Sequence, residues 1–285
     1  MEIHHNIADI QEVIHQQIKN KRSIGFVPTL GALHAGHISL IARARKENDI
    51  VVCSIFVNPT QFNDPADYAR YPHTEEKDAK MLEEAGCNIL FMPSHAVIYP
   101  NDNYKHINFD LGFLGAIMEG SNRPGHFAGV AAVVKRLFDI VLPTRAYFGQ
   151  KDYQQVLVIR KLVNDFNLPI EIIACPIIRE KNGLAMSSRN ELLTSQQRDE
   201  AGLIYRLLSS AKDKILAGDT DYEAVKAWAM AAFAKNDHFK PEYFDICTAE
   251  SLKPVSHPTG ENLVICTAAK IGNVRLIDNV LVNEK

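Results

Sequence analysis

Apolar positions along the chain recur with two periods, and the periods alternate. Residues 7–20 place Ile7, Ile10, Ile14 and Ile18 on one helical face. SIGFV, at 23–27, is short and uninterrupted and predicts a buried strand. HISLIARARKEN, at 37–48, predicts a helix with Leu40, Ile41 and Ala44 inward. IVVCSIFV, at 50–57, is a continuous β-branched run, as in a parallel strand covered on both faces. A helix through KDAKMLEEAG, a strand CNILFM and a strand-like HINFDL at 106–111 come next. Then follow a long helix HFAGVAAVVKRLFDIV, a strand RAYFG, a helix DYQQVLVIRKLVNDF and a strand IEIIACPII at 170–178. Such alternation predicts an α/β fold, a Rossmann-like parallel sheet with helices on both faces and right-handed crossovers.

The alternation stops near residue 178. Two helical stretches follow, 195–216 and 221–235, and then three strand-like segments, EYFDICT, NLVICTAA and VRLIDNVLV. KIGN predicts a hairpin between the last two. The expected organisation is a parallel-sheet domain over 1–178 and a smaller C-terminal α+β domain over 179–285.

Composition narrows the function. Hydrophobic residues are 46% of 285, as in a globular protein. Lys plus Arg is 31 and Asp plus Glu 34, a net charge of -3 with no basic excess to attract nucleic acid. No apolar run approaches the roughly 18 residues of a membrane span, and MEIHHNIADIQEV lacks the form of a signal peptide. Five scattered cysteines suit reduced thiols in a cytoplasmic protein better than a disulfide framework or structural zinc.

Candidate chemistry concentrates in PTLGALHAGH, at 28–37. In an open parallel sheet, ligands bind outside the carboxyl ends of the strands, where this loop falls. Gly31 and Gly36 allow close backbone approach. His37 is expected to start the next helix, whose N-terminal N–H groups favour an anion. His34 and His37 could donate to phosphate oxygens, which suits a phosphorus centre gaining charge. An arbitrary H-x-G-H would more often be a polar turn; the strand–loop–helix context favours a ligand loop. Zinc would need a further ligand, and the P-loop and dinucleotide patterns are absent.

Other candidates lie at similar places. Asn58 and Gln61 of FVNPTQF follow a strand, and an amide can both donate to a carboxylate and accept from a hydroxyl. Lys151 offers a point charge to phosphate, and Asp152 reads as a helix N-cap or as a direct contact. Arg123 could attract anionic substrates. His126 reads as a satisfied structural histidine or a catalytic one.

Taken together, the strand–loop–H-x-G-H–helix arrangement and GLAMSSRN at 183–190 resemble the nucleotidyltransferase superfamily that includes class I aminoacyl-tRNA synthetases. The chain is similar over nearly its whole length to the pantoate–β-alanine ligase family. The motifs that carry this are VPTLGALHAGH, FVNPTQF, EGSNRPGHFAGVAAVVKRLF, YFGQKDYQQ, GLAMSSRN and VRLIDN. The resemblance implies an AMP-forming acid–amine ligase. The carboxylate of (R)-pantoate attacks the α-phosphorus of ATP, and β-alanine then attacks the pantoyl adenylate. It implies catalytic roles for His34, His37 and Lys151. It assigns ATP to Leu30, Gly31, Ala32, Leu33, His34, Ala35, Gly36 and His37, then to Gly149, Gln150, Lys151 and Asp152. Ile178, Met186, Ser187, Ser188 and Arg189 would close over the nucleotide. Pantoate falls to Gln61 and Gln155, with Asn58 and Arg123 beside them, and β-alanine to Gln61. Magnesium would accompany ATP, with Asp78 a candidate contact, and the protein would be a homodimer. The family usually has Met at position 30, Glu at 35 and Arg at 73; Leu30, Ala35 and His73 depart from that pattern and bear on affinity more than on reaction type.

Overall fold

A computed structural model describes residues 1–63 and 68–283. The chain forms two compact units. One comprises Met1–Gly149 and Gln154–Cys175, the other Gln150–Tyr153 and Pro176–Lys285. The division differs from that expected from the sequence. The break falls after Cys175 rather than 178, and residues 150–153 group with the second unit.

In the first unit, six parallel strands make one sheet. They are β1 (Glu2–His4), β2 (Ile24–Thr29), β3 (Ile50–Ile55), β4 (Ile89–Phe91), β5 (Arg145–Gly149) and β6 (Glu171–Cys175), in the order β1-β4-β3-β2-β5-β6. Helices α1 (Ile7–Lys19), α2 (Ala35–Glu47), α3 (Glu75–Glu84), α4 (His126–Val141) and α5 (Tyr153–Asp165) cover both faces. Strand side chains alternate between the faces. Phe26, Val52 and Phe91 join Ile10 and Ile14 of α1, Leu137 and Phe138 of α4 and Ile159 of α5 in one apolar cluster. Val27, Val51, Cys53 and Leu90 join Leu40, Ile41 and Ala44 of α2 and Leu82 of α3 in the other. Each Val, Leu, Ile or Phe among them, fully buried, contributes about 1.5–3 kcal/mol.

From β2 the chain steps through β3 to β4 in one direction, while β5 and β6 extend the sheet in the other. The switch point therefore lies between β2 and β5, the place where such sheets open a ligand crevice at their carboxyl ends.

Two local expectations differ from the structure. Residues 106–111 form no strand; Ile107 and Phe109 pack on the core from an irregular segment. A loop that lays every second residue on the core has the same period as a strand. Conversely, β1 carries no strand pattern, yet it adds an edge to β4 with Glu2 opposite Ile89.

The second unit holds a three-stranded antiparallel sheet of β7 (Phe239–Thr248), β8 (Leu263–Ile271) and β9 (Val274–Leu281), with α6 (Ser195–Glu200), α7 (Leu203–Leu216) and α8 (Tyr222–Phe233). The predicted hairpin is present: Gly272, at φ 58, begins the two-residue turn from β8 to β9. The single helical stretch expected over 195–216 is divided into α6 and α7.

Candidate active site

The loop after β2 is built on one carboxylate. Asp78, on α3 and only 1% exposed, accepts from the Ala32 N–H at 2.8 Å and the Leu33 N–H at 2.9 Å. The Thr74 hydroxyl adds a third bond at 3.0 Å. These donors turn the loop tightly, with Gly31 at φ 82 and Ala32 at φ 51. A side chain at Gly31 would meet Ile55 and Asp78 at 3.1 and 3.2 Å, so glycine suits this position. Asp78 was expected as a metal contact. In the structure both of its oxygens accept hydrogen bonds, from the loop amides and from Thr74.

His34, not His37, caps α2. Its Nδ1 accepts from the Gly36 N–H at 3.1 Å, and the Nδ1 of His37 accepts from the His34 N–H at 3.3 Å. The pair forms a reciprocal capping box built from imidazoles. This fixes chemistry as well as structure. A neutral imidazole that accepts at Nδ1 carries its proton on Nε2, so each ring is a donor through Nε2. The ring centroids are 4.1 Å apart at the N-terminus of α2, where the helix dipole favours an anion. In the same loop Leu33 is buried, Leu30 half-buried and Ala35 exposed.

After β3, a 3₁₀ turn over Pro59–Gln61 carries two amides with different duties. Asn58 is wholly buried. Its Oδ1 accepts from the Thr60 N–H, the Thr60 hydroxyl and the Tyr99 hydroxyl, and its Nδ2 donates to Gly129 O and Gln61 Oε1. These five bonds tie Asn58, expected beside pantoate, to the turn, to Tyr99 and to α4. Asn58 orients Gln61, whose Oε1 is fixed as an acceptor, leaving Nε2 as its donor end.

His126 opens α4 with its Nδ1 2.7 Å from Gln61 O, so that nitrogen donates and Nε2 accepts. The Arg123 Nη1 donates to Nε2 at 3.1 Å. His126 is thus a tie from α4 to the Gln61 turn, and Arg123 supports it. Gly129 lets the turn lie against α4. A Cβ there would fall 2.6 Å from the Thr60 carbonyl carbon and 2.8 Å from Gln61 N.

On α5 the neighbouring glutamines also divide. Buried Gln154 donates to Leu114 O and Ile117 O and accepts from the Glu119 N–H, pinning the segment before α4. Sequence reasoning passed over Gln154, and its neighbour Gln155 offered no cue to the difference. Gln155 is half-buried and makes no side-chain hydrogen bond to another described residue.

The second unit carries the other candidates. Gln150, Lys151 and Asp152 form a 3₁₀ turn directly after Gly149 ends β5. Lys151 Nζ lies 3.5 Å from Asp152 Oδ1. Ile178 and Met186 belong to one tight hairpin, in which the Met186 N–H donates to Ile178 O at 2.9 Å. Ser187 caps the following 3₁₀ turn, Ser188–Leu192, by accepting from the Arg189 N–H at 3.2 Å. Arg189 and Ser188 are half-buried within that turn.

No group of three or more His, Cys, Asp or Glu side chains is placed to hold a metal among the described residues. Magnesium that travels with ATP needs few protein ligands. Among the described residues, no helix is long and apolar enough to cross a membrane.

Comparison with known proteins bears directly on this geometry. A family model described as Pantoate-beta-alanine ligase matches residues 2–281. The chain is similar to the pantothenate synthetase of Cytophaga hutchinsonii, 46% identical over 281 residues that cover 97% of this chain and 99% of that protein. It resembles the crystal structure of pantothenate synthetase from Thermus thermophilus at a TM-score of 0.93 and 40% identity, covering 100% of each chain. A pantoate–β-alanine ligase from Francisella tularensis, crystallised with β,γ-ATP and β-alanine, is similar at a TM-score of 0.80 and 40% identity over 100% of this chain and 99% of that one.

Proposed function

We infer that this chain, which belongs to the pantoate–β-alanine ligase family, condenses (R)-pantoate with β-alanine at the expense of ATP. The pantoate carboxylate oxygen attacks the α-phosphorus and pyrophosphate leaves. The β-alanine nitrogen then attacks the acyl carbon of the pantoyl adenylate, AMP leaves and the amide of pantothenate forms. A carboxylate is already ionised at neutral pH, so the first step needs no general base. It needs positive potential and donors where charge develops on phosphate oxygens.

The observation that carries this reading is the imidazole capping box. It makes His34 and His37 preorganised Nε2–H donors at the N-terminus of α2, beside the switch point of the sheet. Lys151 adds a point charge for phosphate. ATP takes the backbone of 30–37, the turn 149–152, Ile178 and the segment Met186–Arg189, where Ser187 and Ser188 offer hydroxyls and Arg189 a charged fork. Gln61, through its Nε2, and Gln155 clamp pantoate, and Gln61 also serves β-alanine. Arg123, which donates to His126, adds positive charge for pantoate.

Magnesium held by the ATP phosphates would shield their charge. The reading also makes the protein a cytoplasmic homodimer with no nucleic-acid partner. Five buried free cysteines suit a reducing compartment.

The test is pantoate-dependent exchange of pyrophosphate into ATP, with magnesium present and β-alanine left out. Exchange is expected, and adding β-alanine should then yield AMP and pantothenate. No AMP with all three substrates present would refute the function.

A further inference from the structure

VRLIDN, at 274–279, has no part in the chemistry above, yet its last two residues are among the most buried polar groups of the second unit. Asp278 is 4% exposed and Asn279 2%. Asn279 Nδ2 donates to Gln150 O at 3.0 Å and to Lys151 O at 2.9 Å, and its Oδ1 accepts from Gln150 Nε2 at 3.3 Å. One buried side chain therefore holds the carbonyls on both sides of Lys151.

Asp278 reaches the other ligand segment. It accepts from both Arg179 guanidinium nitrogens at 2.6 and 3.0 Å, and from the Asn279 N–H at 2.8 Å. Arg179 continues the tie: it donates to Gly183 O at 3.0 Å and to Asn279 O at 3.3 Å, and lies 3.8 Å from the Tyr205 ring centroid. Arg179 is also the bridge partner of Ala185 in the hairpin that leads into Met186–Arg189. A bidentate, stacked guanidinium fixes direction as well as distance, which a lysine at the same place would not do.

We propose that Asp278 and Asn279 are positioning residues for the nucleotide. From adjacent places on β9 they tie the Gln150–Lys151 turn and the 178–189 hairpin to one strand, so that the two segments keep a fixed spacing. The proposal rests on the reading of Lys151 and Met186–Arg189 as ATP contacts. A tie of this kind lowers the ordering cost that binding would otherwise carry.

Removing Asp278 would strand Arg179 as a buried charge and threaten the fold, so the first test uses Asn279→Ala in the full chain. Two measurements go together: steady-state kinetics with each substrate varied, and native-state amide hydrogen exchange by segment. The expected result is a kcat/KM for ATP lowered by up to about 100-fold, as small misplacements of catalytic groups can cause. KM for β-alanine should be unchanged, and amide exchange should be faster over 150–153 alone. Arg179→Lys should speed exchange over 178–189 instead. Unchanged ATP kinetics, or unchanged exchange over 150–153, would overturn the proposal. So would a loss shared equally by all three substrates with faster exchange throughout, since that is destabilisation. An inactive wild-type enzyme would defeat the functional reading instead, and the exchange pattern would still decide the tie.

Discussion

Gly129→Ala adds one methyl group where α4 meets the turn that carries Gln61. The new Cβ would stand 2.6 Å from the Thr60 carbonyl carbon and 2.8 Å from Gln61 N. The Thr60 carbonyl oxygen would lie closer still, and contacts are comfortable from about 3.5 Å, so the turn must retreat by about 1 Å. All three neighbours are backbone and cannot swing aside as a side-chain end would. Overpacking of this size costs about 1–3 kcal/mol, and the better helix propensity of alanine returns about 1 kcal/mol. The net is a destabilisation of at most about 2 kcal/mol, or a Tm lowered by up to roughly 8 °C for a chain this long. Activity should suffer more. The retreat strains the Asn58 bond to Gly129 O and shifts the Gln61 amide, and a shift near 1 Å can cost about 100-fold. The assay is pantoate-dependent exchange with pantoate varied, beside thermal denaturation of the same sample. A wild-type kcat/KM for pantoate would refute the claim that this close approach sets Gln61.

Four more outcomes are expected. His34→Asn should leave Tm unchanged, because asparagine caps helices well, while the adenylation rate falls by about 10²–10³ with the lost donor; a normal rate would remove His34 from the chemistry. Asp78→Asn should lose charged hydrogen bonds worth about 1.5–3 kcal/mol each and turn an N–H donor toward the loop amides, lowering Tm and raising KM for ATP; unchanged values of both would remove its anchoring role. Gln155→Ala should raise KM for pantoate more than KM for ATP, and equal effects on both would count against the clamp. Burial pushes the thiols of Cys87 and Cys175 up to about 11 and Cys247 up to about 12, from an ordinary 9.0. Above pH 9 the unfolded chain ionises first, so this stability is full below pH 9 and lost as pH climbs toward 11–12. Thermal scans across that range should show Tm level and then falling; a Tm level to pH 11 would refute it.

Much of this was legible in the sequence, for identifiable reasons. The parallel sheet announced itself because β3 is buried on both faces and β5 and α4 have uniform patterns bounded by clear breaks. The loop at 28–37 was legible because glycines and histidines crowd the end of a strand. Its wiring was not. Which histidine caps α2 depends on ring nitrogens meeting backbone N–H groups, and a histidine cap is uncommon. Asn58 and Gln61 look equivalent in FVNPTQF; only the hydrogen bonds from Tyr99 and to Gly129, 41 and 71 residues away, separate the anchor from the amide it orients. Gln154 and Gln155 differ for the same reason, since a helix turns adjacent side chains about 100° apart. Residues 150–153 group with the second unit because their partner Asn279 lies more than a hundred positions downstream, and no local pattern encodes that.

The strand order also sets a timetable for the nascent chain. β2 pairs at once with β3, but its other flank waits for β5: Ile24 N–H bonds to Thr144, 120 residues on. At about 5–20 residues per second of synthesis, that flank stands open for roughly 6–24 s. The Gln150–Lys151 turn waits as long again, because Asn279 is 128 residues beyond Lys151. The sheet beneath the histidine loop can close before translation delivers the residue that fixes Lys151. The imidazole loop is thus finished early, and the lysine turn is among the last parts of the molecule to set.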